Sequence, residues 1–337
     1  MDKLKVVVTG GAGYIGSHTV LELLENNFEP IIIDNFSNSD KSVVSILEEI
    51  SGQKIQCFDV DCCDFEATKN VFKSLDGIYG VIHFAAFKYV NESVSNPLKY
   101  YSNNINSLIN VVKLCNELNI EKLVFSSSCT VYGEPKTLPI KESSPFGEVE
   151  SPYGYTKQIG ENILHNSIKN GATILRYFNP IGVHKSGKLG EGSSLVPENI
   201  VPVIVRVALG ELDELKVFGN DYNTSDGTCI RDYIHVVDLA KAHIRALQKD
   251  EDSSIKIYNI GTGEGCSVLK LIQMFSALND VEIPYTIVDR RPGDVEKIYA
   301  DTRKALEQLG WKTELTVEDA LKDVWKHISY KKANVGI

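Results

Sequence analysis

The stretch VVVTGGAGYIGSH, residues 6–18, decides the fold. A β-branched apolar run ends at Thr9, glycines follow at 10, 13 and 16, and a helical pattern then runs over 14–27. That order reads as strand, tight turn and helix. Glycines there let the backbone approach a pyrophosphate, and the helix N-terminus adds free N–H groups and the positive end of its dipole. Gly10, Gly13 and Gly16 are therefore candidate dinucleotide contacts. A tight turn with close helix–strand packing explains a lone glycine triplet as well; the strand–turn–helix setting gives this one its weight.

Eighteen residues after Gly16, the second apolar run EPIIID (29–34) ends in Asp34. A carboxylate at that distance accepts hydrogen bonds from a ribose diol and repels a 2′-phosphate. No arginine follows in DNFSNSDKS, so the expected cofactor is NAD rather than NADP. Asp34 could instead cap the turn before Asn35, and both readings could hold together. Asp61, after the third strand, falls where an adenine edge could be met.

Further strands are expected near 54–58, 78–84, 121–126 and 172–177, with helices near 41–51, 64–75, 99–118 and 153–169. Apolar strands alternating with helices make a parallel sheet covered on both faces. After about residue 180 the texture changes, with Gly- and Ser-rich 182–197 and loop-like 219–230 around short apolar elements. The expected fold is α/β, a doubly wound parallel-sheet Rossmann domain over 1–179 with a return segment at 233–257. Residues 180–337 form mainly a smaller mixed α/β C-terminal lobe for substrate.

Bulk properties narrow the class. The chain has 337 residues, 43% of them hydrophobic, and a net charge of -10, which argues against a nucleic-acid binder. No run approaches the roughly 20 apolar residues of a membrane span. The seven cysteines form no CxxC pair and no cluster with histidine, so reduced thiols, a cytoplasmic location and no metal are expected. MDKLKVVVTGG shows no apolar signal region.

SPYGYTK, 151–157, carries the chemistry. Ser151 can cap a helix and Pro152 begin it, which puts Tyr153 and Lys157 on one face. A free phenol, with a pKa of about 10, is too weak a base at neutral pH. A neighbouring ammonium and a cationic nicotinamide favour the phenolate, and the lysine can also hold the nicotinamide ribose. Ser128, in FSSSCTVYG after the fifth strand, can share a proton between a sugar hydroxyl and Tyr153. Ser126 and Ser127 could merely satisfy the strand end.

With these motifs, and with VIHFAAFK, NPLKYYSNN, RYFNPIG, FGNDYNTSDGTCIRDYIHV, YNIGTG and RRPGD in the same order, the chain resembles the extended short-chain dehydrogenases/reductases over about 4–325. Within them it is most similar to the UDP-hexose 4-epimerases. The resemblance implies interconversion of UDP-galactose and UDP-glucose through a transient 4-keto sugar, with NAD retained throughout. It implies that Tyr14, Ile15, Asn35, Asn38, Cys62, Phe84, Ala85, Lys88, Asn103, Tyr177 and Phe178 join the cofactor contacts. Asn179, Asn199, Phe218, Arg231, Tyr233 and Arg291 would hold the uridine diphosphate, with Asp294 on the uridine ribose and Ile298 at the gate for N-acetylated sugars. Bidentate guanidinium groups suit a diphosphate even in an acidic protein. Each arginine could instead sit in a surface ion pair, with Asp232 beside Arg231 and Asp289 beside Arg290.

Three positions depart from the family pattern: Ala86-Phe87 before the lysine, Tyr155 within the YxxxK, expected to point away from the site, and Ile298. A 4,6-dehydratase would need an Asp-Glu pair after the serine, where this chain has Cys129-Thr130. A UDP-GlcNAc or uronate 4-epimerase differs only in pocket shape. A non-catalytic NAD sensor would be expected to have lost the tyrosine or lysine, and both are here. A homodimer is expected from the resemblance and from apolar residues on the 99–118 and 153–169 helices, which could equally face the sheet.

Overall fold

The computed structural model describes residues 3–191, 199–249, 254–291 and 293–335. Residues 192–197 of the Gly- and Ser-rich stretch, 250–253 of the expected return segment and Pro292 of RRPGD lie outside the described residues, as do the ends of both expected domain ranges.

The first half alternates strictly. β1 (Leu4–Thr9), α1 (Tyr14–Glu25), β2 (Phe28–Asp34), α2 (Ser42–Ser51), β3 (Gln56–Asp59) and α3 (Phe65–Ser74) make the first set. β4 (Ile78–His83), short α4 (Val90–Ser95), α5 (Pro97–Glu117), β5 (Lys122–Ser128), α6 (Pro152–Ser167) and β6 (Ala172–Tyr177) make the second. Beyond them come β7 (Asn179–Ile181), α7 (Ile200–Ala208), β8 (Leu215–Phe218), β9 (Ile230–Arg231), β10 (Tyr233–His235) and α8 (Val236–Gln248). The chain ends with β11 (Ile255–Ile260), β12 (Cys266–Ser267), α9 (Val268–Asn279), β13 (Tyr285–Val288), β14 (Lys297–Ile298) and α10 (Val317–Val335).

Seven strands form one parallel sheet in the order β3-β2-β1-β4-β5-β6-β11. Period-2 alternation divides its side chains between two cores. Val6, Val8, Ile32 and Ile82 pack with Val20, Leu24 and Leu239 from α1 and α8. Val7, Ile31, Ile33 and Val81 pack with Phe72, Leu108, Val111 and Leu164 from α3, α5 and α6. Strands buried on both faces read as largely apolar runs, as in the centres of β1, β2 and β4, while polar residues such as Thr9, Asp34 and Ser128 stand at the C-terminal ends.

The sheet is completed from far downstream. β11 pairs with β6 from Ile255↔Ala172 to Ile260↔Tyr177, while α8 lies against α1. A third core, around Ile204, Val217, Phe275 and Leu321, belongs to α7, β8, α9 and α10. Three small sheets, β10-β7, β12-β9-β14 and β13-β8, connect this lobe. Two-residue strands such as β9 and β14 are too short to announce themselves in sequence.

Candidate functional site

Strand order reverses between β1 and β4, and beyond the C-terminal ends of these strands opens a cleft, the position at which open α/β sheets bind ligands. Gly10 takes a φ of 70° there, and a Cβ on it would stand 2.8 Å from the Ala85 nitrogen. A Cβ on Gly16 would stand 2.2 Å from the Gly10 oxygen. Neither position admits a side chain. Gly13 is the N-cap of α1 and supplies no side-chain cap, so the first-turn N–H groups of Tyr14 and Ile15 reach the cleft uncapped.

Asp34 closes the turn from the other side. Its Oδ2 accepts from the Ala12 N–H at 3.0 Å, and its Oδ1 accepts from the Phe36 N–H at 2.9 Å and the Ser39 hydroxyl at 3.0 Å. It therefore caps the turn before Asn35 and also lines the cleft. Burial raises its pKa, and these hydrogen bonds oppose the rise.

Asn35, Asn38, Asp61 and Cys62 follow along the same wall, and Phe84, Ala85, Lys88 and Asn103 stand on the side of β4 and α5. Tyr177, Phe178, Asn179 and Asn199 close it from the second half of the chain. Lys88 Nζ donates to Glu191 Oε1 at 2.7 Å, and Asn199 Nδ2 donates to the same oxygen at 3.0 Å. Asn38 Oδ1, Thr130 Oγ1 and Asn179 Oδ1 are buried without a partner among the described residues. All three residues line the cleft. Buried polar atoms are normally satisfied, so these three leave unmet bonding capacity where a polar ligand would enter.

The helix bearing Tyr153 begins as its sequence dictates. Ser151 Oγ accepts from the Gly154 N–H at 3.1 Å, and Pro152 opens α6. Lys157 Nζ donates to the Ser126 carbonyl oxygen at 2.6 Å and stands 5.7 Å from the centre of the Tyr153 ring. Burial pushes Lys157 down to about 8, with Glu161 opposing. The Tyr153 phenol is pushed up to about 12 by burial, with a hydrogen bond from Ser128 opposing. The neighbouring ammonium does not offset this rise in the protein alone, because desolvating a phenolate costs more than the Ser128 hydrogen bond returns.

Strand alternation separates the three serines. Ser126 and Ser128 line the cleft. Ser127 faces away and donates to Glu161 Oε1 at 2.5 Å, and Glu161 also holds Arg176 at 3.0 and 2.7 Å.

The remaining expected substrate residues do not line this cleft. Phe218, Arg231, Arg291 and Asp294 gather beside it: Asp294 accepts from Arg291 at 2.8 and 3.1 Å and from Arg231 at 3.4 Å, and Arg291 lies 5.4 Å from the Phe218 ring. Arg231 also donates to the Ile230 and Val295 carbonyls at 3.0 and 2.7 Å. Tyr233 is buried, and its raised pKa is opposed by Arg231. The two groups meet at Cys129, which lines the cleft while feeling the Arg231 charge. Ile298 sits in the buried cluster of Cys129, Tyr132 and Phe178, behind the cleft wall. The ion pairs differ from those expected, because Arg231 turns to Asp294 and Arg290 to Asp221 at 2.7 Å, while Asp232 is engaged by Thr262, Gly263 and Ala300. Tyr155 points outward, edge-on to Tyr101. Among the described residues no group of His, Cys, Asp or Glu could hold a metal ion, and no helix is long and apolar enough to cross a membrane.

A family model described as GDP-mannose 4,6 dehydratase matches residues 7–324. The UDP-glucose 4-epimerase of Bacillus subtilis (strain 168) is 45% identical over 328 residues, 96% of each chain. The chain belongs to the UDP-glucose 4-epimerase family. The human UDP-glucose 4-epimerase is 44% identical over 333 residues, 96% of this chain and 95% of its own. The solved UDP-glucose 4-epimerase from Bifidobacterium longum, in complex with NAD+ and UDP, superposes with a TM-score of 0.93 at 43% identity, covering 98% of this chain and 99% of that one.

In this epimerase-family chain several residues in or beside the cleft escaped the sequence reading. Ser126 and Thr130 were within reach of it, since strand alternation puts Ser126 on the face of Ser128. Glu191 was not, because nothing in GKLGEG signals that it will meet Lys88 and Asn199.

Proposed function

We propose that this protein interconverts UDP-galactose and UDP-glucose with NAD as a resident cofactor. The observation that carries the reading is the convergence of Tyr153, Ser128 and Lys157 on one cleft with the glycine turn and Asp34. The glycine turn and uncapped α1 would hold the pyrophosphate, and Asp34 and Asn35 a ribose. Asn38, Asp61, Cys62, Phe84, Ala85, Lys88 and Asn103 would form the rest of that wall, with Tyr177 and Phe178 beside the nicotinamide. When bound, NAD supplies the acceptor that takes hydride from C4 of the hexose and returns it to the opposite face.

The protein's own task is the proton. Tyr153 takes it from the 4-hydroxyl, directly or through Ser128, and gives it back once the sugar has turned. A phenol at about 12 is poorly suited to that task; a second positive charge from a bound cofactor, added to Lys157 within 6 Å of the ring, would favour the phenolate. Lys157, held by the Ser126 carbonyl, keeps its charge beside the phenol and can reach the ribose. Asn179, with its free Oδ1, Asn199, Phe218, Arg231, Tyr233, Arg291 and Asp294 would take the uridine diphosphate, and Ile298 would shape the sugar end from behind Cys129. Cys129-Thr130 offers no Asp-Glu pair to expel water, which favours epimerisation over dehydration.

A homodimer through α5 and α6 is part of the reading. Leu98 is 77% and Tyr155 49% exposed, and Tyr101, Ile105, Ile109 and Ile159 are only partly covered, an apolar stripe across two helices whose other faces fill the core. Seven free cysteines fit the cytoplasm.

The deciding experiment is conversion of UDP-galactose with no NAD added, run beside UDP-GalNAc. UDP-glucose from the first alone supports the reading and makes Ile298 a restrictive residue; products from both keep the mechanism and widen the substrate. No conversion of either, even with NAD supplied, would overturn it.

A further inference from the structure

Of the three tyrosines that line the cleft, Tyr153 and Tyr177 handle their protons in opposite ways. Tyr153 stands with Ser128 and the Lys157 ammonium. Tyr177, at the end of β6, has its hydroxyl 2.5 Å from Nε2 of His243. His243 is wholly buried on α8, and its Nδ1 is 2.9 Å from the Leu239 carbonyl oxygen. A carbonyl oxygen only accepts, so Nδ1 carries the ring proton and Nε2 is left as an acceptor. The Tyr177 hydroxyl is therefore the donor. Burial holds the imidazole down at about 3, neutral at any working pH, and holds the Tyr177 phenol well above its usual range. Neither partner loses or gains a proton in use.

With its proton committed to His243, Tyr177 offers the cleft lone pairs alone. Ser126 hydrogen-bonds to it from the same wall, and Phe84, which also lines the cleft, packs 4.8 Å from the imidazole. An acceptor fixed in this way suits an amide N–H and disfavours a carboxylate.

We propose that His243 is a positioning residue for the cofactor: by taking the Tyr177 proton, it turns that phenol into a fixed acceptor for an N–H of the nicotinamide carboxamide. The inference rests on the NAD reading above.

The test is a double-mutant cycle on holoenzyme, read by exchange of bound cofactor against excess labelled NAD. Tyr177→Phe removes the acceptor and His243→Leu removes what orients it; each is expected to speed exchange about tenfold, the size of one hydrogen bond. Because His243 acts through Tyr177, the double variant is expected to exchange no faster than Tyr177→Phe alone. His243→Gln, whose amide oxygen can still take the proton, is expected to exchange more slowly than His243→Leu. Additive effects in the double variant would reduce His243 to packing and overturn the proposal. So would wild-type exchange in Tyr177→Phe, a result that requires no His243 variant to fold. Wild-type protein that binds no NAD would overturn both this inference and the functional reading, whereas a holoenzyme whose variants all exchange at the wild-type rate overturns only the inference.

Discussion

Tyr153 sits in surroundings that disfavour its ionised form, so the protein alone does not make it a base. Its proposed role as a base therefore calls on the cofactor's positive charge as well as on Lys157. Tyr153→Phe removes the proposed proton-transfer group and nothing that touches the glycine turn or Asp294. Turnover is expected to fall by about 10²–10⁴, with bound NAD and UDP affinity near wild type; a stopped assay and a UDP titration check both halves. A rate close to wild type would remove Tyr153 from the reaction. Much at this scale was legible in sequence, because a glycine that excludes a Cβ and a Tyr/Lys pair one turn apart are local facts. Glu191 and His243 were not, since each is defined by a partner distant in the chain and by burial that only the fold creates.

At the scale of elements, the strands and helices of the first half could be read because most strands carry a continuous apolar run and each helix has its own period. Reading stopped where elements shrink to two or three residues and where pairing is set by tertiary contact, as for β9, β14 and β10-β7. Helix α1 carries a further consequence. It is buried nearly all round, including Glu22, whose pKa is raised to about 7 by burial and by Glu25. A raised carboxyl gives stability that is full below its unfolded value of about 4.5 and is lost as pH rises through 7. Glu22→Gln is therefore expected to match wild type at pH 5 and to be more stable at pH 8.5, by on the order of 1 kcal/mol. Thermal melts of the two proteins at both pH values check this; a larger gap at pH 5 would reverse the sign.

At the scale of the whole molecule, the α5–α6 stripe predicts association. Light scattering is expected to give the mass of a dimer at micromolar concentration, and Leu98→Glu, which sets a charge on the most exposed large apolar side chain among the described residues, to shift it to monomer. A monomeric wild type would end that proposal. The sheet itself also joins distant parts of the chain: cutting at residue 179 removes β11 from β6 and α8 from α1. A 1–179 fragment, left with a bare parallel edge and an uncovered apolar helix, is expected to aggregate on expression, and its recovery as soluble, cooperatively melting protein would show that the return of β11 and α8 is dispensable. The same arrangement bears on how the protein is born. Synthesis passes β6 long before it reaches β11, and at about 5–20 residues per second the ribosome leaves that edge open for roughly 4–16 s. Throughout that interval the nascent sheet has a strand with nothing to pair with, so this enzyme's most vulnerable moment belongs to its translation.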